Sequence, residues 1–208
     1  MKPERIPLFP LNLVLFPGAA LPLHIFEQRY KEMIARCIEE ESAFGIVYAP
    51  ESGIASIGCT AEIRQILRKH VDGRLDILTR GADVIRIIRV VDEKPYFEAL
   101  VQYISEEPNT SAPGSVTREE LLGVFQKCHQ KAFGKPSPLA RDFPDEIFSY
   151  RLVAELPIEL SKKQELLELR DESQRRAVLI KALTEWLPRQ ERVDRTRVKA
   201  AGNGHSPS

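Results

Sequence analysis

The residues of widest chemical range in this chain are its four histidines and three cysteines, and their spacing limits what they can do. His24 stands three residues before Glu27, where an extended run passes into a helical one. At that spacing a carboxylate could orient and charge the imidazole for acid–base work or binding, or simply fix the junction by a hydrogen bond. His70 adjoins the turn Asp72-Gly73 and is expected in solvent. Cys128 and His129 are neighbours on a helical segment, so their side chains diverge by about 100° and cannot share a metal without outside ligands. Cys37, Cys59 and Cys128 are far apart and form no C-x-x-C pair. That pattern suits buried thiols in a reducing cytosol better than a disulfide framework or a zinc site. Phosphate-loop chemistry needs G-x-x-x-x-G-K-[ST], but Gly134-Lys135 runs into Pro136 and lacks the upstream glycine. A G-x-S-x-G nucleophile elbow is likewise absent. The expectation is a chain with no cofactor, no metal and no catalytic residues.

Bulk properties narrow what it could bind. Thirty basic and thirty acidic side chains cancel, so no global field steers the chain to nucleic acid or an anionic membrane. Arg64, Arg68, Lys69, Arg74 and Arg80 surround one hairpin and could touch phosphates, but Glu62, Asp72 and Asp76 intersperse them. No run of about 18 apolar residues is present, so no membrane span is expected. The opening MKPERIPLFPLNLVLFPG carries prolines through its apolar part and lacks a small-residue cleavage site, unlike a secretory signal. A cytoplasmic protein is expected.

The elements that must hold any site change character midway. Up to Ser105 the pattern is strand-like, with an edge strand at Ile6-Pro7-Leu8-Phe9 and a further run from Leu11 to the turn Pro17-Gly18. Phe26, Tyr30, Met33, Ile34, Cys37 and Ile38 recur at helical spacing and predict one helix face. Asp72-Gly73 predicts a type I′ hairpin, and Gly81 a further turn. Seven short strands and one helix point to a β-barrel with a packed helix over residues 1–105. Residues 106–115 read as a linker, 116–188 as a helical domain, and 189–208 as a disordered tail after Pro188 stops the last helix. Capping boxes are expected at Thr117/Glu120 and Ser161/Gln164, with a third at Asp171/Gln174.

An ordered series of motifs then carries a family resemblance. Pro7 to Leu11 (PLFPL), Val14 to Gly18 (VLFPG), Leu21 to Glu27 (LPLHIFE) and Arg29-Tyr30 resemble the opening of the Lon protease N-terminal domain. Gly58 to Ile63, the turn Asp72-Gly73-Arg74 with Gly81, and Leu156-Pro157-Ile158 with Lys163 to Glu168 resemble its continuation, so the match covers roughly Arg5 to Pro188. Val84-Ile85 stand where many members carry an arginine–aromatic pair. The resemblance implies an α+β fold, a PUA-like β-barrel with one packed helix followed by a small C-terminal helical bundle. It also implies a stand-alone module, without the family's ATPase and serine–lysine peptidase parts, that recognises unfolded or tagged polypeptides. Such a module could serve as an adaptor or regulator of proteolysis, with a protease or chaperone as a further partner. The alternative is RNA binding, since PUA-like folds also serve it. A binding wall is expected from Phe16, Leu21, Tyr48, Pro50 and Ile54, whereas Pro10, Pro17, Gly18, His24, Phe26, Glu27, Arg29 and Tyr30 are expected mainly to shape the fold.

Overall fold

In the computed structural model the described residues are 2–51, 53–107, 115–138 and 143–202, the last with side chains described to 188. The elements are β1 (Arg5–Leu11), β2 (Ala20–Ile25), α1 (Gln28–Glu39), β3 (Phe44–Tyr48), β4 (Ile57–Lys69), β5 (Leu75–Val91), β6 (Glu98–Tyr103), α2 (Arg118–Phe133), α3 (Asp145–Glu155), α4 (Leu160–Glu168) and α5 (Glu172–Gly202). The expected linker centre, 108–114, and the end of the tail, 203–208, lie outside the described residues.

The first strand carries two prolines and yet lies inside the sheet. The order is β2-β5-β4-β3-β1-β6, and β5 also pairs with β6, which closes five strands into a barrel with β2 added on the outside of β5. β1 therefore has neighbours on both sides, β3 in parallel and β6 in antiparallel register. The expected edge position is not observed, and register shows why the prolines are tolerated. Leu8 donates its N–H to Phe97 at 2.8 Å, so even-numbered residues of β1 face β6. Pro10 on that side falls beyond the Arg5–Pro7 stretch paired with β6. Pro7 faces β3 ahead of the first pair, Leu8 with Gly45. Each missing N–H therefore points past the end of a neighbouring strand.

Both faces of β1 are buried. Ile6 and Leu8 join Val47, Ile85, Ala99 and Val101 inside the barrel. Gly45 sits against this cluster, where an added Cβ would lie 3.0–3.2 Å from Ile85, Leu8 and Ile6. Phe9 points the other way and stacks on Tyr30 of α1 at 4.0 Å. The larger core continues from α1 through Phe16 to the helices, and includes Phe125, Phe148, Tyr150, Leu167 and Leu183.

The turn expected at Pro17-Gly18 forms, with Ala19 N–H on the Phe16 carbonyl at 3.0 Å and Gly18 at φ 74°, but one expected strand and one expected turn are replaced by contacts. The run from Leu11 to Gly18 is not a strand, and Gly81 is not a turn: it lies inside the unbroken β5. Gly18 donates to the Gly81 carbonyl at 2.8 Å, and Gly81 donates to the Ala19 carbonyl at 2.9 Å. A Cβ at Gly81 would sit 2.1 Å from the Phe16 carbonyl oxygen, so only glycine admits this approach. The same loop then meets the helical half. Phe16 packs on Tyr150 with ring centroids 5.7 Å apart, and Arg151 donates to the Gly18 carbonyl.

Two charge clusters, each centred on a buried ion, tie the elements together. Glu98, 3% exposed, accepts from Arg5 of β1, Arg36 of α1 and Lys94. Arg175, fully buried, pairs with Glu172 at 2.6 Å and Glu106 at 2.9 Å, and its guanidinium lies 3.7 Å from the centre of the Tyr150 ring. Removing a partner of Glu98 or of Arg175 leaves a charge that is itself shut away from water with less to meet it.

Helix ends follow local chemistry in part. Thr117 and Glu120 form the expected capping box, and Asp171 accepts from Gln174 N–H at 3.0 Å. Ser161 is not the cap, because α4 starts two residues earlier than that cap requires and has Glu159 at its N-cap without a side-chain bond. Nor does α5 stop at Pro188; it runs on to Gly202. Pro188 is exposed, so the carbonyl that loses its partner there can turn to water.

Gly81→Ala is expected to destabilise the protein by about 1–3 kcal/mol through forced backbone displacement, read as a lower urea midpoint. Burial alone would raise the Glu98 carboxyl, but hydrogen bonds from Lys94, Arg5 and Arg36 outweigh it and hold the group below 4.5. Its contribution is therefore fully present at neutral pH and is lost as pH falls through the lowered value. Glu98→Gln is expected to cost on the order of 1–3 kcal/mol at pH 7, with the gap from wild type narrowing below pH 4.5 in urea titrations.

Candidate functional site

Strand lengths leave one edge of the sheet open. β4 has 13 residues but β3 only 5, and their pairing runs from Phe44 opposite Ala61 to Val47 opposite Gly58. β5 continues alongside β4, from Glu62 opposite Arg80 to Lys69 opposite Leu75. Residues 62–69 thus have a strand neighbour on one side, and among the described residues no strand pairs with the other. The local cause is the end of α1. Glu41 adopts a left-handed conformation (φ 49°) and Ser42 donates to the Cys37 carbonyl at 2.9 Å, which turns the chain sharply into β3. The strand that could have covered the far part of β4 starts too late.

Between this edge and the end of α1 lies a cleft of about 520 Å³, with Cys37, Ile38 and Ser42 on one wall and Ile63, Gln65 and Ile66 on the other. Ile38, Ile63 and Ile66 are half-buried against the main core, so the cleft has apolar footing. Arg64 and Gln65 are exposed, and Arg64 pairs with Glu62. Burial pushes the Cys37 thiol up to about 11, so it is no nucleophile at neutral pH. An open strand edge above an apolar floor can hold an extended chain by backbone hydrogen bonds and side-chain burial.

The expected pairing of His24 with Glu27 is not formed. Glu27 accepts from its neighbour Arg29 at 2.9 Å, and its backbone carbonyl starts α1. His24 lies directly across from Asp76 in the β2–β5 register, with Nδ1 at 2.5 Å from the carboxylate. The other carboxylate oxygen lies 2.8 Å from Nε2 of His70, whose side chain is only 18% exposed rather than free in solvent. Hydrogen bonds from His24 and then His70 hold the Asp76 carboxyl below its usual range. Sequence separation hid this cluster, because Asp76 is 52 residues from His24 and meets it only through strand register.

The five expected wall residues do not form one wall. Phe16 is fully buried and offers no surface. Leu21 lies half-buried on β2, which β5 and β4 separate from β3. Tyr48, Pro50 and Ile54 share the β3–β4 connection, where Ala55 donates to the Tyr48 carbonyl and Ile54 is 40% exposed. That loop is at the opposite end of β4 from the open edge. Of the motif residues, Phe26 is not on the helix face; it precedes α1, is 60% exposed and stacks on His24 at 5.9 Å. Tyr30 is buried, Arg29 lies over its ring at 4.6 Å, and Pro17 is buried beside Gly18 (φ 74°). Sequence reasoning missed the open edge. Its signal was the length of the polar-flanked run from Ala61 to Lys69 against the short Phe44–Tyr48.

A five-strand barrel with a packed helix and a following set of helices defines the class. Residues 5–185 match the model of the ATP-dependent protease La (LON) substrate-binding domain, and the chain belongs to that family. It is 26% identical to Lon protease 2 of Syntrophobacter fumaroxidans over 76% of this chain and 20% of that protein. It is 27% identical to the Lon protease of Buchnera aphidicola over 84% of this chain and 25% of that protein. The chain thus spans about a fifth to a quarter of these relatives. Among solved structures, a Lon N-terminal domain protein from Xanthomonas campestris superposes with a TM-score of 0.62 at 25% identity, over 82% of this chain and 94% of that one. The N-terminal domain of Mycobacterium avium complex Lon protease gives 0.67 at 18% identity, over 87% and 98%, a likeness of fold. Among the described residues no helix is long and apolar enough to cross a membrane.

Proposed function

We propose that this chain captures extended segments of unfolded or tagged polypeptides along the open edge of β4, and acts without catalysis as an adaptor or regulator of proteolysis. The observation that carries the reading is the unpaired edge at residues 62–69 above a cleft footed by Ile38, Ile63 and Ile66. Membership of the substrate-binding family supports polypeptide as the ligand class. Tyr48 and Pro50, half-buried at the end of β3 and the start of the β3–β4 loop, exposed Ile54 in that loop, and Leu21 on β2 are separate contact candidates outside that edge. A protease or chaperone is the partner this reading assigns for downstream transfer. The three buried free thiols suit a reducing compartment, and the cytoplasm is the location assigned.

A reduced, carboxymethylated unfolded protein serves as probe, with hydrogen exchange as readout. Binding at micromolar concentration is expected to slow exchange of amides within residues 62–69. Ile66→Asp, which places a charge on the cleft floor, is expected to weaken binding about tenfold or more, since burying an unpaired carboxylate costs several kcal/mol. Ile54→Asp is expected to leave binding by the β4 edge unchanged. Absence of micromolar binding, or protection confined to the 49–56 loop, sinks the edge assignment.

A further inference from the structure

We infer that His24, His70 and Asp76 form a binding site for one divalent transition-metal ion of the zinc class. This inference is independent of the polypeptide-binding reading, because it rests on different residues and a different ligand. The three side chains each offer one ligand atom, and all three atoms lie within 4.8 Å of one another. A tetrahedral zinc-class ion with bonds of about 2.0–2.2 Å spaces its ligands roughly 3.3 Å apart, so modest side-chain rotation brings this set to coordination distance.

The backbone presets the arrangement. His24 on β2 and Asp76 on β5 are cross-strand partners, while His70 follows β4 directly after the Lys69–Leu75 pair. The turn between them is held by His70 N–H on the Arg74 carbonyl at 2.9 Å and by Gly73 N–H on the His70 carbonyl at 3.0 Å. Asp72 has no positive φ, whereas Gly73 has (φ 81°), so this is not the expected type I′ turn. A left-handed glycine after Val71-Asp72 instead makes a three-residue bulged hairpin loop, one residue longer, with His70 at its base beside Asp76. Three rigid segments thus converge on one point, which lowers the ordering cost of ligation.

The chemistry of the set also fits. Two imidazoles and one carboxylate match the ligand types that zinc-class ions take in open sites, with a fourth position left for water or an incoming group. In the metal-free state both imidazoles hydrogen-bond to Asp76. On coordination each neutral ring carries its proton on the remote nitrogen, so Nδ1 of His24 and Nε2 of His70 present lone pairs to the ion. Nearby cations are engaged elsewhere: Arg74 pairs with Asp72 at 2.7 Å, and Lys31 donates to the Asp72 carbonyl at 3.0 Å. Among the described residues the ion-pair partners of Asp76 are these two imidazoles.

The test is calorimetric titration of chelator-treated full-length protein with Zn²⁺, alongside Co²⁺ absorption spectra. One ion is expected to bind at micromolar concentration and to raise Tm. The Co²⁺ complex is expected to show tetrahedral d–d bands without thiolate charge transfer, since the cysteines are buried elsewhere. His70→Ala and Asp76→Asn are each expected to weaken binding roughly tenfold or more, and circular dichroism checks that each variant folds. His24→Gln is expected to behave likewise, and His205→Ala to bind as wild type. Failure to bind one equivalent, or binding that survives His70→Ala and Asp76→Asn together, overturns the inference.

Discussion

A single backbone contact organises this molecule: the Phe16 carbonyl pressed against Gly81. The middle of the longest strand must come close enough to the loop before β2 to exchange hydrogen bonds with Gly18 and Ala19. Without a side chain at position 81 the two backbones meet, and with one they cannot. Everything downstream inherits this placement. The loop delivers Phe16 to Tyr150 and the Gly18 carbonyl to Arg151, so the barrel and the helices share one apolar core. Arg175 then locks the helical side around Tyr150, with Glu172 and Glu106 meeting its charge.

The open edge of β4 follows from unequal strand lengths on that frame. β5 is long because it serves β2 and β4 at its start and β6 at its end. β4 follows it outward, while β3 is cut short by the turn at Glu41. The resulting open edge is thus a consequence of barrel closure on a sheet whose two central strands outrun the rest. Strand addition normally needs such an edge, and most folded proteins take care to hide theirs.

Much of this was legible in the residues and some could not have been. The ordered motifs from Pro7 to Tyr30 carried the family, and the change from alternating to helical periodicity carried the α+β class. The capping box at Thr117 was readable because its partners lie three residues apart. Local signals misled where tertiary context decides. Pro7 and Pro10 read as an edge, yet sit inside the sheet because neighbouring strands end where their N–H groups would point. Gly81 read as a turn, because a glycine needed for close approach looks the same in sequence as one needed for a positive φ. Phe26 fits the helical period but falls before the helix begins. The site was least readable. The open edge is a missing pair, and the His24–Asp76–His70 cluster depends on a register that no short spacing encodes.

An edge open to guests is also open to copies of itself, and the charge along β4 bears on that hazard. Arg64, Arg68 and Lys69 are all exposed on the unpaired stretch, with Glu62 alone in opposition. Two such edges brought together would set guanidinium and ammonium groups against one another, a colloidal barrier that added electrolyte would thin. Under the proposed reading the same barrier would sort visitors. An acidic or neutral extended segment approaches without that repulsion, while a strongly basic one meets it in full.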